Sequence, residues 1–209
     1  MWTMKRTIAA AAVAAGMIGG ATAANARVSV FSDDFDSYSY HLNWKGSAKW
    51  DVTYGSVDLI GAGTPFSLLP TSYGHYVDLD GSTNKAGGMS TVMSFEPGTY
   101  ELSFVLAGGL RPVDKSSKTT RISLGNWSET ITLPWNAGPS FYTALVTTKG
   151  GALSFRDAQG GNNDIGNLLD DVNVTAVPEA STWAMLLAGF GGLGFTAFRK
   201  GQKMPIGIA

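Results

Sequence analysis

The stretch Pro97-Gly98-Thr99-Tyr100-Glu101-Leu102-Ser103-Phe104-Val105-Leu106 decides the fold class. After the Pro97-Gly98 turn signal, Tyr100, Leu102, Phe104 and Leu106 recur at every second position, with Glu101 and Ser103 between them. Successive side chains of a strand point to opposite faces, so this alternation describes a strand with one buried and one polar face. Runs of the same kind are expected at 50–54, 57–60, 76–79, 121–124, 129–133, 142–147, 152–155 and 172–175. The intervals between them are rich in Gly, Pro, Asn, Asp and Ser, which supply turn conformations. Two polar intervals, 111–120 and 157–167, read as loops, and no amphipathic helix pattern interrupts the series. Roughly eight to ten short strands without crossover helices predict an all-β protein, an antiparallel β-sandwich.

Composition narrows the class further. The chain has 209 residues, and less the two ends described below roughly 150 are left for folding, enough for one domain with one core. Between residues 27 and 176, ten Lys or Arg stand against fifteen Asp or Glu, a net charge of −5. That balance offers no electrostatic footprint for nucleic acid. Cysteine is absent, which excludes disulfides, thiolate nucleophiles and sulfur-ligated metals.

Both ends carry addresses. Lys5 and Arg6, an apolar run from Ile8, and Ala24-Asn25-Ala26 make up the three parts of a secretory signal peptide, with cleavage expected after Ala26. At the other end Val177-Pro178-Glu179 precedes Trp183, an uncharged stretch over 183–198, then Arg199, Lys200 and Lys203. That stretch is slightly short for a transmembrane helix, and a tilted or thin-membrane span with Arg199 and Lys200 snorkelling fits it. The basic cluster predicts a cytoplasmic C-terminus, so the preceding chain lies outside the cytoplasm. The layout expected is a signal peptide at 1–26, a sandwich at 27–176, a sorting signal at 177–203 and a tail at 204–209. Ala184, Ala188, Gly192 and Thr196 place small side chains on one helical face, suited to close contact with a membrane enzyme or reflecting composition alone.

Val177, Pro178, Glu179, Trp183, the Gly-rich run and the Arg199-Lys200 pair resemble, in order and spacing, the sorting signal of PEP-CTERM proteins. Two departures are Ala180, where a second Pro is usual, and a tail longer than is typical. The resemblance implies recognition by an exosortase, a membrane protease-like partner, and then release or transfer to the cell surface or extracellular polysaccharide. A second resemblance lies in 31–35, 50–52, 55–60, 76–81, 97–104 and 168–174, whose strand patterns are similar to jelly-roll domains of the galactose-binding-like type. It implies two face-to-face sheets, often a polysaccharide-binding role, and a structural calcium joining first strand to last, here through Asp34 or Asp36 with Asp171.

Catalytic constellations are sparse. His41 and His75 are the only histidines, no nucleophile elbow accompanies them, and they lack zinc-site spacing. Asp78 and Asp80 are the nearest approach to a glycosidase acid pair, and they also read as a solvated strand face entering the Asp80-Gly81 turn. Asp157, Asn162 and Asp164 form an oxygen cluster without EF-hand spacing. Trp44, Tyr73, Trp127 and Trp135 neighbour turn residues and are candidate sugar-stacking rings, whereas Trp50, in an alternating run, is expected in the core. The function expected is a non-enzymatic exported protein of the surface or matrix. A lectin-like module and, less favoured, a glycan-active enzyme are the alternatives.

Overall fold

The computed structural model describes residues 28–83, 85–159 and 163–178; the segments expected to be signal peptide and membrane helix lie outside these. The described residues form twelve strands and one 3-10 turn, Thr71–Tyr73. In chain order the strands are β1 (Val28–Asp33), β2 (His41–Trp44), β3 (Trp50–Tyr54), β4 (Val57–Gly61), β5 (His75–Asp78) and β6 (Gly88–Thr91). Then follow β7 (Gly98–Ala107), β8 (Lys118–Leu124), β9 (Trp127–Leu133), β10 (Ser140–Thr148), β11 (Leu153–Asp157) and β12 (Leu168–Ala176). The larger sheet runs β10-β7-β12-β5-β4-β2, with β1 also paired to β12, and the smaller runs β3-β6-β11-β8-β9. Strand pairing is antiparallel within both sheets.

The alternation along β7 sets the core. Tyr100, Leu102, Phe104 and Leu106 of β7 all pack into the main cluster with Leu59, Val77, Leu79, Met89, Ile122 and Phe155. Trp50 is fully buried as expected, and its indole N–H donates to Asp33 Oδ2 at 2.7 Å. A second apolar layer lies on the outer face of the larger sheet, where Ile60, Tyr76, Ala107 and Leu168 are covered by Phe66, Leu68, Leu69 and Tyr73. Tyr76 staples this cover: its hydroxyl accepts from Leu68 N–H (2.6 Å) and Leu69 N–H (3.0 Å) and donates to the Phe66 carbonyl (3.1 Å).

The bulge in β12 positions everything that follows. Asp170 pairs with Val105 but Asn173 with Ser103, so two residues of β12 oppose one of β7. Asp171 takes a φ of +49°, and Leu169 and Val172, three apart rather than two, both face the core. A bulge of this kind re-aims a side chain without breaking the sheet.

The expected strands are present, and three more, β1, β2 and β6, carry no clear alternation in sequence. The interval 111–120 is only partly a loop. Lys118 begins β8 and is buried, and Arg111 is held by an ion pair to Asp78. Likewise Asp157 closes β11 and Asn167 is buried.

Candidate functional site

On the outer face of the larger sheet a groove of about 620 Å³ lies between β1 and β10, floored by the β12 bulge. Asp34, Asp171, Lys49, Ser103 and Asn173 supply its polar lining, and Phe141 its aromatic one. Phe141, on the edge strand β10, is the register partner of Val105 and is 68% exposed, so its ring is largely open to solvent. Lys49 is steered by its Nζ bond to the Ser32 carbonyl (2.8 Å) and a 3.5 Å ion pair with the buried Asp33. An exposed ring beside converging carboxylates, an amide and an ammonium can stack on a sugar face and bind its hydroxyls. Sequence reasoning missed Phe141; it precedes the expected run 142–147, and nothing local marks an edge strand's outer face.

Of the residues expected to hold calcium, Asp34 and Asp171 line the acidic end of the groove, and Asp36 lies outside its lining but near enough for its charge to act on Asp171. Burial raises the pKa of Asp171, and the charges of Asp34 and Asp36 add to the rise. Burial likewise pushes neighbouring Asp170 to about 8, with Asp171, Asp36 and Asp34 contributing. All-oxygen donors of this kind suit a hard cation. However, Asp36 Oδ1 accepts from His75 N–H at 2.7 Å and Asp34 Oδ1 from Asp36 N–H at 3.3 Å. Among the described residues no three His, Cys, Asp or Glu side chains converge on one point as metal ligands. The chemistry fits calcium, while the side chains are not closed into a ligand shell.

The four rings named from sequence fall elsewhere. Trp44 is 7% exposed, edge-on to Phe35 with centroids 6.4 Å apart, so it presents no face to a sugar. Tyr73 belongs to the cover over Tyr76. Trp127 is half-buried against the core and borders a cleft of about 50 Å³, well below the size of ordinary ligand pockets. Trp135 is half-buried beneath Lys115, whose Nζ stands 6.0 Å from the ring centroid. The structure does not gather them into one surface.

Asp78 and Asp80 are not a solvated strand face: both are fully buried. Asp78 accepts from Arg111 (2.9 Å) and from the amides of Gly166 (2.8 Å) and Asp80 (3.0 Å). Burial still pushes its pKa up to about 7, against the pull of Arg111. No sugar bond can reach either carboxyl without opening the sandwich. His75 opens β5, and His41 lies exposed at the start of β2, its Nδ1 2.7 Å from the Leu42 carbonyl.

The two chain ends leave from one place. Val28 is the register partner of Ala176, and Val177 N–H donates to the Thr99 carbonyl at 2.9 Å. Pro178 follows at once, and Glu179, Trp183, Arg199, Lys200, Ala24 and Ala26 lie outside the described residues. The sorting segment is thus attached to the last strand with almost no linker.

Residues 176–200 match the family model of the PEP-CTERM protein-sorting motif. No curated protein matches the chain. Among solved structures, the K1 cleaved adhesin domain of Lys-gingipain from Porphyromonas gingivalis W83 is similar at 13% identity and a TM-score of 0.49, over 71% of this chain and 98% of that one. The CBM22-1 xylan-binding domain of Xyn10C from Paenibacillus barcinonensis is similar at 14% identity and a TM-score of 0.46, over 76% and 100%. TmCBM61, solved with beta-1,4-galactotriose, is 14% identical with a TM-score of 0.38, over 63% and 91%. This chain is therefore a two-sheet β-sandwich carrying a C-terminal PEP-CTERM sorting motif, which implies export and processing by an exosortase.

Proposed function

We propose that the sandwich is a non-enzymatic surface or matrix protein that associates with extracellular polysaccharide through the groove between β1 and β10. The observation that carries this reading is the pairing of the exposed Phe141 ring with Asp34, Asp171, Lys49 and Asn173 in one open groove. Open grooves suit a chain that runs past the protein, and a flat ring with a polar border binds sugars without covalent chemistry. A calcium at the acidic end would draw on Asp34, Asp36 and Asp171 and would offset the repulsion that raises Asp170 and Asp171. The non-enzymatic reading is supported by the burial of Asp78 and Asp80, which removes the best acid pair from any substrate.

Attachment geometry agrees with display. Both ends leave beside Val28 and Ala176, so a tail held at the membrane or on its acceptor puts the opposite end outward and leaves the groove open along the side. Affinity electrophoresis through gels cast with neutral and acidic polysaccharides tests the proposal, together with a reducing-end assay on the same polymers. Retardation without new reducing ends is expected. Free migration through every gel, or steady release of reducing ends, would overturn it.

A further inference from the structure

The end of the sandwich remote from both chain ends holds buried oxygens that the groove does not use. Asp80 follows β5 and is fully buried, and neither of its carboxylate oxygens has a hydrogen-bond partner. Asn167, just ahead of β12, is 1% exposed. Its Nδ2 donates to the Lys118 carbonyl (3.2 Å) and to Thr120 Oγ1 (2.9 Å), which fixes the amide and leaves Oδ1 buried with no donor. Asp157, at the end of β11, is also buried, and its charge acts on Asp80.

Backbone bonds close a ring around these groups. Leu79 N–H donates to the Asn167 carbonyl (3.1 Å), Gly87 N–H to the Leu79 carbonyl (2.8 Å), and Asp157 N–H to the Gly87 carbonyl (3.0 Å). Thr120, which Asn167 grips, is the register partner of Asp157 and completes the circuit across the two sheets. Gly166 lets the chain come this close, since a Cβ there would stand 2.5 Å from the Asp80 nitrogen and 2.8 Å from Asp78 Oδ1.

A buried carboxylate without donors is among the costliest polar burials, and it is normally relieved by a proton, a cation or a bound metal. Burial raises Asp80 to about 6, with the Asp157 charge adding, while the amides of Asn163 and Ile165 and the Lys118 charge oppose the rise. Lys118 is the nearby ammonium, and its Nζ is committed to Asp114 Oδ2 (2.7 Å) and Asn163 Oδ1 (3.0 Å). Asp78 is matched by Arg111. Asp114 takes the Lys118 charge, and no hydrogen-bond donor reaches the Asp80 oxygens.

We propose that Asp80, Asp157 and Asn167 hold a hard divalent cation of the calcium class, completed by backbone oxygens of the enclosing turns. Carboxylate and amide oxygens are its preferred donors. The ion ties β5, β11 and the start of β12, bracing the loops of the outward end.

The full chain, purified in detergent and stripped with EDTA, is dialysed against calcium chloride, its bound calcium counted by mass spectrometry and its melting followed. Asp80→Asn is expected to lose one calcium per chain and the melting shift that this ion gives, while Asp51→Asn, exposed on β3, keeps both. A second arm does not rely on Asp80→Asn folding: Asn167→Asp adds a carboxylate to the same shell and is expected to tighten calcium by about tenfold, as added ligand charge does. Asp80→Asn that retains all calcium, wild type that binds none, or Asn167→Asp that weakens binding would overturn the proposal. So would Asp80→Asn that is more stable than wild type in EDTA and calcium alike, since a protonated carboxyl would then occupy the enclosure.

Discussion

Phe141→Ala separates the groove's binding role from its structural one. Full burial of a Phe side chain contributes about 1.5–3 kcal/mol. Phe141 is 68% exposed in the free protein, and a sugar ring covers one of its two faces. The recoverable part is therefore about 0.5–1 kcal/mol, or about two- to fivefold in Kd. The same exposure means that little packing is lost in the free protein, so stability should move by no more than about 0.5 kcal/mol. Isothermal titration with the polysaccharide retarded most strongly in gels reads the first quantity, and urea unfolding the second. Phe141→Trp keeps a flat face and should bind at least as well as wild type. Unchanged affinity in Phe141→Ala would refute the stacking argument, and so would a loss that Trp does not restore.

Other consequences follow from the buried polar groups. Asp170, Asp78 and Asp80 have folded pKa values near 8, 7 and 6, above the ordinary carboxyl value, so between about pH 4 and 8 the folded chain binds more protons than the unfolded one. Their contribution is most favourable below pH 4 and is lost as pH rises through 6 to 8; in EDTA, urea midpoints should therefore be lower at pH 8.5 than at pH 5, and a higher midpoint at 8.5 would contradict the assignment. Tyr76→Phe removes the acceptor of two amides and should cost about 1–3 kcal/mol by urea unfolding, with under 0.5 kcal/mol counting against the staple. Arg111→Met leaves Asp78 buried without its cation and should cost about 3–5 kcal/mol at pH 8. At pH 6 the loss should be smaller, because Asp78 is then largely protonated, and equal losses at both would show that the ion pair is not the cause.

The sandwich was legible because core-facing strands declare themselves by alternation, as β7 does with Tyr100, Leu102, Phe104 and Leu106. β1, β2 and β6 were not legible, for local reasons. β1 is bulged between Ser29 and Phe31, β2 carries Asn43 at a φ of +52°, and β6 is four residues beginning with Gly88. The acidic pairing of Asp34 and Asp36 with Asp171 came from resemblance, and the structure brings these charges within reach of one another. The loop tryptophans misled because apolar rings beside turn residues fold back onto a core, as Trp44 does against Phe35. Asp78 and Asp80 misled in the other direction. Alternating Asp with Val and Leu reads as a wet face, yet Arg111 arrives from a distant loop to cover Asp78, a contact that no local pattern announces. Phe141 escaped because its exposure depends on β10 being an edge strand, which only the sheet order reveals.

Delivery by the C-terminal motif is the claim on which display and binding both depend. It is tested most directly by intact-mass and peptide mass spectrometry of the mature protein recovered from the cell surface or medium. An N-terminus at Arg27 and a C-terminus near Pro178 or Glu179, lost together when Pro178 and Glu179 are replaced by Ala, is the predicted result. A surface protein that still ends at Ala209, or one delivered equally well without Pro178 and Glu179, would contradict it.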